Sequence, residues 1–316
     1  MRESRANVTN VHTFSFPRVG AEGPSRLRGT GPRIDSHRRL TQSRAGPAPE
    51  PTRPIGPPPV HLQLLEFAWP LLAAEFTMHP PPIGFLPRGD GAPVLVLPGF
   101  TTDDAATSVL RRAISNHGFC VAPWSLGRNL GPTREIVDGM RARLLEIATL
   151  HERPVSLVGV SLGGVYARAL AREFPRQVSQ IVSLGSPYRL LSTDRTTVHA
   201  IWDYLSPYHE RDLSLFDADE DTRPPLHVPA ASIYTRCDGI VPWEACIDRT
   251  GLDAPNPSAE NIEVYSTHTG LGVNPAALYA LIDRLVHVGP PWRRFRPPFV
   301  IRSWYPPPAA APPQRS

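Results

Sequence analysis

The stretch VSLVGVSLGGVYARALAREF, residues 155–174, decides the fold. Val155–Val158 is a short continuous apolar run, the pattern of a strand buried on both faces. Ser161–Glu173 carries its apolar residues at helical spacing. Between them lies Gly159-Val160-Ser161-Leu162-Gly163, a G-x-S-x-G motif in a strand–turn–helix setting. There the serine occupies a strained turn with Oγ above the sheet, and the glycines let helix and strand approach. A helix starting at Ser161 also aims backbone N–H groups and its positive dipole end at a developing oxyanion.

The same rhythm extends outward. Pro93–Leu97, Phe119–Ala122, Gln180–Leu184, Ala230–Tyr234 and Ile262–Tyr265 read as strands. Asp103–Asn116, Thr133–Leu150 and Pro275–Val288 read as helices. Strands alternating with helices imply right-handed crossovers and a mostly parallel, doubly wound α/β sheet with helices on both faces. Between Pro187 and Pro229 the rhythm breaks. Thr196–Leu205 alone suggests a helix there, and the acidic run 217–221 reads as a solvated loop. A loop this long is expected to be a cap or lid, at about residues 188–228.

A serine hydroxyl is a poor nucleophile at neutral pH and needs a base with an orienting acid. In this architecture they follow in the order Ser, Asp or Glu, His, at the ends of later strands. Asp238 stands three residues past the strand AASIYT and His268 three past IEVY. Asp248 and Asp253 are rivals for the acid. Leu162, after the nucleophile, offers one oxyanion-hole N–H. Phe100, in the loop Leu97-Pro98-Gly99-Phe100-Thr101, offers the other.

Together, PVLVLPGF (93–100), GVSLGG (159–164), SLGSP (183–187), CDGIVPW (237–243) and THTGL (267–271) resemble the α/β-hydrolase superfamily. Within it the chain is similar to bacterial lipase/esterase-like hydrolases of the group that includes the GPI inositol-deacylases. The resemblance covers about residues 87–288. It implies Ser161 as nucleophile, Asp238 as acid, His268 as base, and Phe100 with Leu162 as the oxyanion pair. Pro98-Gly99 stands where many lipases carry His-Gly. The segment WSLGRNLG (124–131) also resembles one in these homologues and is either pocket-lining or a structural turn. The expected activity is hydrolysis of a carboxylic ester, with a small ester or lipid as substrate and no cofactor or metal. The same triad would serve an acyltransferase, thioesterase or peptidase, and the fold would also suit an inactive binding protein.

Composition sets the boundaries. The 316 residues include 39 prolines and three cysteines, and every basic side chain other than histidine is Arg. Residues 1–60 hold ten Arg and four acids, residues 284–316 six Arg and no acid, and the middle 17 Arg and 25 acids. The basic character belongs to proline-rich ends around an acidic body that contains the triad. Residues 1–59 are therefore expected to be a disordered tail, 60–289 the hydrolase domain, and 290–316 a second proline-rich tail whose aromatic and aliphatic residues either dock on the body or stay disordered. Cys120, Cys237 and Cys246 build neither a disulfide framework nor a C-x-x-C zinc site. The Arg-rich tails match no nucleic-acid-binding fold, so no nucleic-acid partner is expected. No signal peptide and no apolar run of about 18 residues is evident, so a cytoplasmic location is expected. Val60–Phe76 (VHLQLLEFAWPLLAAEF) is expected to form a helix, bent near Pro70, that packs its apolar side on the core. Transient contact with a membrane surface is the alternative.

Overall fold

The computed structural model describes residues 54–68, 83–191, 193–209, 220, 223–249, 256–289 and 291–309. The chain divides into residues 1–48 and 49–316, and every described residue lies in the second unit. Its centre is an open, all-parallel six-stranded sheet. The strands are β1 (Pro93–Leu97), β2 (Cys120–Ala122), β3 (Val155–Val160), β4 (Val178–Leu184), β5 (Ala230–Tyr234) and β6 (Ala259–Glu263), ordered β2-β1-β3-β4-β5-β6.

Strand side chains alternate between faces, so each strand feeds two cores. Leu95, Leu97, Leu157 and Ile181 face α3 (Arg134–His151) and α4 (Leu162–Glu173), meeting Met140, Leu144, Val165 and Leu170. Val94, Val96, Val158, Val182 and Ile233 face α2 (Ser108–Asn116) and α6 (Pro275–Val286), meeting Leu110, Ile114, Leu278 and Leu281. Each fully buried aliphatic side chain is worth roughly 1.5–3 kcal/mol. The helix starts follow local chemistry: Thr133 Oγ1 accepts from Ile136 N, and Asn274 Oδ1 from Ala277 N with Pro275 in the first turn.

Some boundaries differ from expectation. The helix expected from Asp103 begins at Ser108. Asp104 instead accepts from the N–H groups of Trp124 and Ser125, which ties that turn to the loop after β2. The last strand runs Ala259–Glu263 rather than 262–265, because its register pairs Ala259 with Ala230. Val60–Leu65 forms α1, followed by a 3-10 turn at Glu66–Ala68; Pro70 and residues to 82 lie outside the described residues. The expected apolar docking is reversed there. Val60, Leu64 and Phe67 stay exposed and Glu66 is buried. Ahead of α1, Ile55 N–H donates to Asp194 Oδ1, and Arg195 N–H to Ile55 O. Beyond the body, Ile301 is buried and the Tyr305 hydroxyl donates to Ala276 O on α6. Among the described residues no helix is long and apolar enough to cross a membrane.

Within the insertion, α5 spans His199–Leu205. Glu220, from the acidic run expected to be solvated, is buried instead. It pairs with Arg168 of α4 at 2.6 Å and with Arg172. Arg168 also pairs with Asp248, and its guanidinium lies 3.5 Å over the Tyr188 ring. Removing one partner of a buried ion pair strands the other charges without water. Arg168→Ala is therefore expected to lower unfolding stability by about 3–5 kcal/mol, read from urea denaturation midpoints.

Candidate active site

The chain turns back between β1 and β3: β2 lies on one side of β1, and all later strands follow on the other. In open α/β sheets the ligand crevice lies at the carboxyl ends of the strands flanking such a switch. Here those ends carry the Phe100 loop and Ser161.

Ser161 has φ 50° and ψ −122° and leads directly into α4. A non-glycine residue in this region is strained and persists because its surroundings over-determine it. The surroundings are the motif's glycines. A Cβ on Gly163 would lie 2.1 Å from Leu97 O, and one on Gly159 2.3 Å from Gly164 Cα. Ser161 N–H donates to Leu184 O at 2.8 Å, extending the β3–β4 ladder into the turn. Among the described residues, Ser161 Oγ has no hydrogen-bond partner. Catalytic hydrogen bonds commonly tighten only with substrate in place.

The loop after β1 comes up beside this turn, and a Cβ on Gly99 would be 3.2 Å from Ser161 Cβ. Thr101, at φ 63°, donates its N–H to Asn129 O. Asn129 is fully buried and returns bonds from its N–H to Thr102 O and from Nδ2 to Pro98 O. Through Asn129 the WSLGRNLG segment thus braces the loop with buried polar groups. Among the described residues the N–H groups of Phe100 and Leu162 have no partner in the chain. Unpaired donors at a helix start and a tight loop suit an incoming oxyanion.

Asp238 and His268, from the loops after β5 and β6, meet with Oδ2 to Nδ1 at 2.6 Å, both buried. Asp238 Oδ1 accepts from Ile240 N and Val241 N, fixing the carboxylate plane. Burial opposes the imidazolium, but the charge and hydrogen bond of Asp238, with Glu66 adding to them, hold His268 above the ordinary histidine value. Thr235 ties the two strand ends together: its hydroxyl donates to Ser266 O and accepts from Cys237 N and Ser266 N. The β3–β4 register sets Val160 opposite Leu184, placing Ser161 next to Gly185. A Cβ on Gly185 would lie 3.1 Å from His268 Nδ1. Gly185, the neighbour of Ser161 across the β3–β4 ladder, is thus also a neighbour of the His268 ring. Asp248 is paired with Arg168, while Asp238 is the carboxylate bonded to His268; Asp253 lies outside the described residues.

Three participants escape sequence reading. Glu66 accepts from Gly239 N and His268 N through Oε1 and from Thr269 N and Oγ1 through Oε2, at 2.8–2.9 Å. In sequence it is one charge in an apolar stretch. Asn129 sits in a segment already singled out, but its role needs the fold. Trp202 of α5 packs its ring on Phe100 at 5.3 Å and on His209 at 4.5 Å, so the stretch after β4 meets the loop after β1. Among the described residues no trio of His, Cys, Asp and Glu gathers as a metal site.

No protein-family model matches this chain, and no curated protein matches it. Among solved structures it is similar to lipase B of Aspergillus fumigatus, at 18% identity over 65% of this chain, with TM-score 0.46. The chain spans 56% of the length of that lipase. A thermophilic esterase from Thermogutta terrifontis matches at 17% identity over 63% of this chain and 90% of its own, TM-score 0.45. The thioesterase domain from the curacin biosynthetic pathway matches at 16% over 61% and 91%, TM-score 0.42. The observed architecture, an all-parallel sheet with the serine elbow after its third strand, is the α/β-hydrolase fold expected from the sequence.

Proposed function

We propose that this chain is a serine hydrolase of carboxylic esters, with Ser161 as nucleophile, His268 as base and Asp238 as orienting acid. The observation that carries the reading is the 2.6 Å Asp238–His268 pair, set across Gly185 from a serine held at φ 50°. In this mechanism Nε2 of His268 takes the proton as Ser161 Oγ attacks the ester carbonyl. Asp238 stays ionised, holds the proton on Nδ1 and stabilises the imidazolium. The N–H groups of Phe100 and Leu162 receive the negative charge on the carbonyl oxygen; one such donor is typically worth about 2.7–4 kcal/mol in the transition state. The imidazolium then protonates the leaving alcohol. Water, deprotonated by the same imidazole, releases the acyl group.

The substrate in this reading is lipophilic. Phe100 and Trp202 offer apolar surface beside the oxyanion loop, and Val60, Leu64 and Phe67 are exposed on the segment that carries Glu66. The motifs resembling the GPI inositol-deacylase-like hydrolases point the same way, to a lipid ester. A p-nitrophenyl ester series tests both parts. Hydrolysis is expected, with medium or long acyl chains preferred. Activity on acetate alone would overturn the substrate class, and no turnover of any ester would overturn the esterase reading.

A further inference from the structure

The feature left over by this mechanism is Glu66. A carboxylate that is 7% exposed would ordinarily be costly, yet this one accepts four hydrogen bonds. Three of the donors are backbone N–H groups, and they come from two separate loops. Gly239 directly follows Asp238, while His268 is itself the candidate base and Thr269 its neighbour. One side chain thus spans the loop that presents the acid and the loop that presents the base. The segment is seated closely: a Cβ on Gly239 would lie 2.2 Å from Leu62 O of α1. Thr269 Oγ1 also donates to the backbone carbonyl of Glu66.

We propose that Glu66 is a positioning residue for the acid–base pair, and that seating of the 60–68 segment sets the alignment of Asp238 with His268. The role of that pair rests on the esterase reading above; the alignment itself does not. Glu66 makes no contact with reacting atoms, so it acts through the loops it joins. Its charge acts too. Two carboxylates bear on the imidazole, Asp238 from the loop after β5 and Glu66 from the turn after α1. The loop after β4 meets the ring through Gly185, which brings no charge. Glu66 itself is held below the ordinary carboxylate value. Burial opposes this, but the Thr269, Gly239 and His268 hydrogen bonds outweigh it, so the carboxylate is ionised near neutrality.

Glu66→Gln in the full chain is the test. The amide keeps one acceptor oxygen, loses the charge and sets an NH2 group against the Thr269 donors. The His268 titration followed by NMR is expected to move to lower pH, and the acid limb of kcat/KM with it. kcat is expected to fall about 10- to 100-fold from misalignment, with KM changing far less. Gly239→Ala, which lifts the segment while leaving Glu66 intact, is expected to shift the His268 titration the same way. An unchanged His268 titration in both folded variants would overturn the proposal. The NMR titration needs no turnover. A shift in a protein that hydrolyses no ester would therefore sink the esterase reading and leave the positioning role standing.

Discussion

Ser161→Ala is expected to lower kcat for ester hydrolysis about 10⁶-fold, to the residual rate that the oxyanion donors and substrate binding sustain. The expectation is sharp because the hydroxyl has no structural task. Among the described residues Oγ bonds to nothing, so its removal leaves no buried group unpaired. Alanine keeps the Cβ that Gly99 packs against. The backbone strain at φ 50° is the same for either residue. Stability should accordingly change by no more than about 0.5 kcal/mol. A large loss of activity beside an unchanged urea midpoint would separate a chemical role from a packing one.

Asp238→Asn is expected to cost about 10⁴-fold in kcat. The reason lies in how the side chain is held. Ile240 N and Val241 N both donate to Oδ1, so an asparagine keeps its carbonyl oxygen there and turns its NH2 toward His268. Nδ1 must then accept, the proton moves to Nε2, and the imidazole loses its capacity as a base toward the proposed nucleophile. The pH dependence has a definite sign. In the wild type the Asp238 charge helps hold His268 above its ordinary value, so activity rises as pH climbs through that raised value and the imidazole becomes neutral. In the variant the residual activity should retain its acid limb, displaced to lower pH. Kinetics between pH 5 and 9 on both proteins would read the shift.

What the sequence made legible follows from how local each signal is. The strand PVLVL, the elbow GVSLG and the amphipathic helix over 134–151 are each written within a few residues, and each forms close to where its pattern places it. The positions of Asp238 and His268 follow from strand-end logic, because a parallel sheet gathers the ends of its strands. Their meeting at 2.6 Å is a tertiary fact that no spacing encodes. Glu66 and Asn129 were illegible for the same reason. Glu66 bonds to residues 173–203 positions away, and in its own segment the apolar side chains suggested a docking face that the fold leaves in solvent. The acidic run misled in the opposite way: Glu220 looks like a solvated charge until α4 presents Arg168 and Arg172 to it.

An activated nucleophile at Ser161 would be labelled by an active-site-directed fluorophosphonate. Intact-mass and peptide mapping of the treated full chain should find one adduct, on the peptide containing Ser161, and none in Ser161→Ala. Absence of any adduct on the wild-type protein, or equal labelling of the two proteins, would overturn Ser161 as the nucleophile.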